Sequence, residues 1–374
     1  MTGPEAFRGE FVRRRKKALF RPLGKTDMEI KLLQRSTPMA NEMAPARIHW
    51  SLFKYWYLYI AAFFTVWVVP VAGWGLFPDV IRQWPIAIVM VLGSLVAGST
   101  AMGGGAICFA YLVSWTGASP GSARDFGLMI QALGMTSAMI YVFCRRIFLQ
   151  RRLLVWTGGG GIAGVLLGTV ALAPYLAANF VKLIFACMWM SFAILTIAKS
   201  REFCRAVGVR AIDPRDAMRT GLLVGMTGGM IASVTGVGVE MALYTTLILF
   251  YRCDLKIAVP MAVSAMAITA MAGVAARLAQ GGISHDLILK FLATGPIVVF
   301  GAPIGTYIVS KIPRQSTLYF ISVLSIGQFA WTVTHMQGTS GEWLFVMVAL
   351  GSATALFYWM YRQGKRNPQI IADM

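Results

Sequence analysis

Arg145-Arg146-Ile147-Phe148-Leu149-Gln150-Arg151-Arg152 puts four arginines into eight residues between two apolar stretches. Which side of a bilayer holds this loop decides how the whole chain is threaded. The surrounding composition calls for a bilayer. Hydrophobic residues make up 57% of the chain, charged residues 13%, and mean hydropathy is +0.66, whereas soluble domains are about a quarter charged. The apolar residues collect in runs at 55–77, 85–115, 126–144, 153–175, 180–198, 218–250, 257–279, 287–310, 316–334 and 343–361. Most are about 20 residues long, enough to cross a hydrocarbon core of about 30 Å. Two are too long. As straight helices, 85–115 and 218–250 would reach roughly 46–50 Å at ~1.5 Å per residue. Each carries glycines near its middle, Gly103-Gly104-Gly105 in one and Thr235-Gly236-Val237-Gly238 in the other.

Cytoplasmic loops carry an excess of Lys and Arg. If every run crosses once from a cytoplasmic N-terminus, the four arginines of 145–152 fall outside. If 85–115 and 218–250 are instead bent hairpins that enter and leave on one face, that loop falls inside. So do the basic stretch 199–219, the Lys311/Arg314 turn and the tail with Arg362, Lys365 and Arg366. The weakly charged loops 116–123, 280–284 and 336–341 then face outward. The hairpin threading predicts an all-α polytopic membrane protein of two four-segment repeats, 85–198 and 218–334. Each opens with a glycine-broken helical hairpin, and the two run in opposite directions. Gly93-Ser-Leu-Val-Ala-Gly98 echoes Gly221-Leu-Leu-Val-Gly225, each followed by a glycine cluster. Flanking helices at 55–77 and 343–361, a linker at 199–217 and cytoplasmic tails at 1–54 and 362–374 complete the expected layout. Asp213-Pro214 is a stop and restart within the linker. Inverted repeats with broken helices belong to secondary transporters, with the substrate bound near the midplane where the breaks meet.

The net charge of +19 raises nucleic acid as a partner, but its distribution argues against one. Residues 1–54 hold twelve Lys/Arg against five Asp/Glu, including Arg13-Arg14-Arg15-Lys16-Lys17. Such a cluster beside a membrane segment is attracted to anionic lipid heads at about 1 kcal/mol per residue. It reads as a topology-fixing tail, with a regulatory arm as the alternative. The five cysteines form no CxxC pair and the three histidines no cluster, so no metal or other cofactor is expected. No nucleotide-binding, nucleophile-elbow or metalloprotease motif is present, which points away from an enzyme. Trp and Tyr gather at segment ends (Trp115, Trp331, Trp343, Tyr361), as interfacial belts do.

Backbone at membrane depth can unwind only beside a cavity or packed protein. Freed N–H groups and helix N-termini then suit an anion. Ser99, Thr100, Gly103, Gly104 and Gly105 are the candidates in the first half, and Ser233, Thr235, Gly236 and Gly238 in the second. The plainer alternative is that these glycines only let helices pack closely. Glu240, just past the second break, is either an ion-coupling carboxylate or a helix brace. Gln131 and Ser264 fall where they could line the site or could glue helices together. Arg124-Asp125 reads as an interfacial ion pair, and Lys182 and Arg277 as outer-end residues reaching for the interface.

The runs Gly93–Gly98 through Met102-Gly-Gly-Gly-Ala106, and Gly228-Gly-Met-Ile-Ala-Ser-Val-Thr-Gly-Val-Gly-Val-Glu-Met-Ala-Leu-Tyr244, resemble the sulfite exporter TauE/SafE family. Lys256-Ile-Ala-Val-Pro-Met-Ala-Val-Ser264 is similar to the Ala-x-Pro-Thr-Ser element of that family. The resemblance spans about residues 85–334. It implies uptake or export of sulfite, sulfonates or related small organic-acid anions, driven by an ion gradient; the expected setting is an inner membrane, with a homo-oligomer as one possible assembly. Three departures stand out. The second motif has Gly-Val-Gly-Val-Glu in place of three glycines, Met261 replaces a frequent Thr, and the first lacks the usual Pro.

Overall fold

The computed structural model describes residues 50–176, 178–205, 212–336 and 338–366; the basic N-terminal stretch 1–49, and with it the proposed lipid contact, lies outside them. Every element among the described residues is helical. Helix α1 (Trp50–Val68) ends in a π turn at Val69–Gly73 and is followed by the short α2 (Phe77–Arg82). The first hairpin is α3 (Trp84–Ser99) and α4 (Gly103–Trp115), and three helices follow: α5 (Pro120–Cys144), α6 (Arg151–Ala171) and α7 (Ala178–Arg205). The second is α8 (Pro214–Thr235) and α9 (Val239–Thr245), with a π turn at Thr246–Phe250. Then come α10 (Leu255–Ala279), α11 (His285–Lys311), α12 (Arg314–Thr334) and α13 (Ser340–Arg366).

Among the described residues, eight helices are long and apolar enough to cross a membrane, and the two broken segments add shorter apolar helices. The protein is therefore a multi-pass membrane protein. Helix α10 is the most buried span, while α1 and α13 are the most exposed and leave large apolar side chains such as Leu58, Val66, Leu344 and Met347 on the surface. In lipid that surface is solvated rather than wasted. Polar handles hold α1 in place: Trp56 Nε1 donates to Ser137 Oγ at 3.0 Å, Tyr59 OH to the Leu133 carbonyl at 2.8 Å, and Trp67 Nε1 to the Leu292 carbonyl at 2.7 Å.

The linker boundaries differ from the sequence reading. The stretch 199–217 is partly helical, because α7 continues to Arg205 past a kink at Lys199 (φ −123°). Helix α8 begins at Pro214, where Asp213 caps it by accepting from Arg215 N–H at 2.8 Å. Tyr361 is not an interfacial anchor: it is buried, and its hydroxyl donates to Glu202 Oε2 at 2.7 Å.

Packing between the halves follows one rule of exchange. Helix α3 packs on α11 and α8 on α6; α5 packs on α11 and α10 on α6. The self-paired contacts are α5 with α10 and α7 with α12. Each of these main contacts of an element in 85–198 has a counterpart in 218–334. The tightest of them are backbone against backbone. A Cβ added at Gly98 would fall on the Ala302 carbonyl, and one at Gly225 on the Thr157 carbonyl. Small residues that bring helix backbones together are the usual adhesive where lipid removes the hydrophobic drive.

One buried ion pair pins the exit of the second hairpin. Asp254 caps α10 through Lys256 N–H (3.0 Å) and accepts Arg314 Nε at 2.9 Å and Nη2 at 2.5 Å, a two-pronged grip that reaches α12. Asp254→Ala leaves that guanidinium without its partner. The expected loss is roughly 3 kcal/mol, the low end for a buried pair because Arg314 stays 29% exposed. Melting of the detergent-purified protein reads it, and an unchanged midpoint would show that the pair is dispensable.

Candidate functional site

The first break falls on Thr100–Met102 rather than on the glycines. Thr100 is extended (φ −138°, ψ 163°); its Oγ1 donates to the Val96 carbonyl at 2.8 Å and accepts from Met102 N–H at 3.2 Å. That hydroxyl gives the backbone a local alternative to the next helical bond. Ser99 Oγ lies 3.4 Å from the same carbonyl. Gly103 then opens α4 with φ +68°, a left-handed turn that a glycine takes at little cost. Gly104 backs onto α3, its missing Cβ 3.1 Å from the Gly93 carbonyl.

The second break is Gly236–Gly238, as the sequence places it. Gly236 ends α8 in the left-handed region (φ +81°), its N–H bonded to the Ala232 carbonyl at 2.8 Å. A Cβ there would sit 2.9 Å from the Arg124 carbonyl of α5. Thr235 Oγ1 is 3.0 Å from the Ile231 carbonyl and accepts from Val237 N–H at 3.4 Å. Ser233 bonds within α8, to the Met230 carbonyl at 2.7 Å.

The two breaks meet. Gln131, from α5, donates Nε2–H to the Gly236 carbonyl at 2.9 Å and to the Gly127 carbonyl at 3.1 Å. Glu240 accepts from Gly238 N–H through Oε2 at 3.2 Å. A Cβ at Gly103 would lie 2.7 Å from Glu240 Oε1 and 3.0 Å from Gln131 Oε1, and one at Gly105 would strike Gln131 Nε2. Both of those side chains are buried. Gly103, Gly105, Gln131, Gly236, Gly238 and Glu240 thus share one junction. Ser264 does not join it through a hydrogen bond: it is fully buried, with Oγ donating to the Pro260 carbonyl one turn back in α10 at 2.8 Å.

The charged residues beside the junction are more than interfacial. Asp125 accepts Arg124 Nε at 2.8 Å and Arg277 Nη2 at 2.9 Å, so it ties α5 to α10, while Arg124 Nη1 donates to the Ser233 carbonyl near the end of α8 at 3.3 Å. Two guanidinium groups on one carboxylate leave a net positive charge one turn from the second break. The hairpin threading puts both loops, 116–123 and 280–284, on one face, and that shared face was the available signal for Arg277.

Volume points elsewhere. A cavity of about 210 Å³ lies toward the C-terminal ends of α4 and α12, and its lining includes Lys182, Gln328, Trp331 and His335. Beside the junction, among α3, α5 and α11, a cavity of about 10 Å³ is lined in part by Ser94, Gly104 and Gln131, room for about one water. The junction is identified by buried polar groups from both halves, not by its size; it is closed in this conformation.

The family model for sulfite exporter TauE/SafE matches residues 86–330. No curated protein and no solved structure matches the chain.

Proposed function

Because this chain belongs to the sulfite exporter TauE/SafE family, we propose that it is a secondary transporter of small anions, with sulfite, sulfonates and related organic acids as the substrate class. The observation that carries this reading is the contact of the two breaks. Gln131 of the first half grips the Gly236 carbonyl of the second, and Gly103 of the first abuts Glu240 of the second. A site shared by two halves opens to one side or the other when they rock against each other, which is how alternating access works.

The two halves run in opposite directions, and the chain sits in an inner membrane with both termini and the basic loops cytoplasmic. The anion is held by N–H groups at the start of α4, from Gly103 to Gly105, where the helix dipole favours negative charge. Thr100 and Thr235 add hydroxyls. Arg124 and Arg277 supply a positive field at the outer approach, and Glu240 couples anion movement to an ion gradient. The basic N-terminal tail lies on anionic lipid heads.

Purified protein in liposomes is expected to accumulate sulfite or a simple sulfonate when a proton gradient is imposed, and not when the gradient is collapsed. Flux that ignores the gradient would make the protein a passive anion channel. Silence toward every small anion, from folded monodisperse protein, would sink the anion reading.

A further inference from the structure

Two oxygen atoms at the junction have no partner. Glu240 Oε1 and Gln131 Oε1 are both fully buried acceptors without a donor, and both lie within about 3 Å of the point where a Gly103 Cβ would stand. Leaving a buried acceptor unsatisfied is costly, and here two point at the same place.

The amide of Gln131 cannot be turned round to relieve this. Its Nε2 is committed to the carbonyls of Gly236 and Gly127, and exchanging N for O would set oxygen against two carbonyls. Gln131 therefore offers Glu240 an acceptor. An ionised carboxylate would meet that acceptor with like charge; a carboxylic acid would donate to it. A metal cation fits less well, because hard cations take a full shell of oxygens and the third neighbour of this point is a methyl of Val237 at 3.4 Å.

We propose that Glu240 and Gln131 form a proton-operated latch across the two breaks. With the proton on Oε1, Glu240 donates to Gln131 Oε1 and the junction is closed. When that proton leaves for water on the side that opens, the O–H···O bond is lost, two acceptors face each other and the halves part. Glu240 comes from α9 and Gln131 from α5, so the bond joins the two halves directly. The latch rests on the reading of this junction as the transport site, and names the ion that works it.

The other ionisable groups around α9 are set apart from this bond. On α8, Arg215, Asp216 and Arg219 stand in its first turns, and Arg151 and Arg152 open α6. On α10, Lys256 at the start donates to the Ser310 carbonyl and Arg277 at the end holds Asp125. On α5, Arg124 and Asp125 hold each other, while Tyr141 and Cys144 lie near its C-terminal end. Tyr244, one turn along α9, and Cys108, on α4, are buried and uncharged at neutral pH. His285 and His335 lie outside the junction, at the start of α11 and just past α12.

The test is the melting midpoint of full-length detergent-purified protein, without added anion, from about pH 5 to about pH 9, for wild type and Glu240→Gln. The wild type is expected to lose on the order of 5 °C across the range as the latch bond is lost. Glu240→Gln keeps the shape and carries a permanent amide donor toward Gln131, so that component vanishes; every other ionisable group is common to both proteins and cancels in the difference. Gln131→Leu, which removes the acceptor, is expected to flatten the same component. Identical pH curves for wild type and Glu240→Gln would overturn the latch. So would a midpoint that follows Na⁺ at fixed pH in the wild type only. The measurement needs no transport, so a latch that titrates in a protein carrying no anion would refute the transporter reading and keep the latch. Gradient-driven flux with identical melting curves would do the reverse.

Discussion

Replacing Gly103 with alanine is expected to cut anion flux about a hundredfold while the protein still folds, the scale of loss that a misplacement of about 1 Å produces in a positioned site. Two effects combine. Gly103 sits at φ +68°, where a residue with a Cβ gives up about 1–2 kcal/mol. The new methyl would also stand 2.7 Å from Glu240 Oε1 and 3.0 Å from Gln131 Oε1, too close for either, so the two breaks must separate or the side chains must leave. Neither change costs enough to unfold a membrane protein of this size. Flux per folded molecule in liposomes is the readout. Gly159→Ala, whose added Cβ meets nothing within 4 Å, is the control and should transport like wild type. Wild-type flux from Gly103→Ala would show that anions pass by another route.

What the sequence revealed, and what it hid, divides along physical lines. The breaks were legible because length is one-dimensional: 85–115 and 218–250 are too long for single straight crossings, and both are broken. Gly236 was legible as a break because two glycines separated by one residue have little to hold a helix together. Gly103–Gly105 was not. Those glycines begin α4, and the chain unwinds just before them at Thr100, whose hydroxyl satisfies the backbone locally. Gly104 and Gly105 stay helical there behind the left-handed turn at Gly103, and α3 backs Gly104, with the Gly93 carbonyl 3.1 Å from where its Cβ would be. That support is a tertiary contact and leaves no local trace. The pairing of Asp125 with Arg277 left only the expected shared face of their loops as a trace, since the partners lie on different helices of different halves. Gln131 was found by its place after the first hairpin, but its bond to the Gly236 carbonyl could not be foreseen.

Gly225→Ala is expected to destabilise the protein by about 3 kcal/mol, the upper end for overpacking a well-fitted contact. The usual relief is closed off. An added methyl generally finds room when a neighbouring side chain changes rotamer, but at Gly225 it meets the Thr157 carbonyl and the backbone N of Gly161 at 2.7 Å. Only a parting of α6 from α8 can make space, and it would also pull apart Gly229 from Gly161 and Gly164 from Met226, whose backbones touch along the same seam. Gly98 makes the corresponding contact between α3 and α11, against Ala302. If the halves are related by exchange, as their packing partners are, Gly98→Ala should lower the melting midpoint by a similar amount. Both seams carry the helices that lead into the breaks, so either change should also loosen the junction and reduce flux. A Gly225→Ala protein that melts with the wild type would mean that α6 and α8 do not meet backbone to backbone.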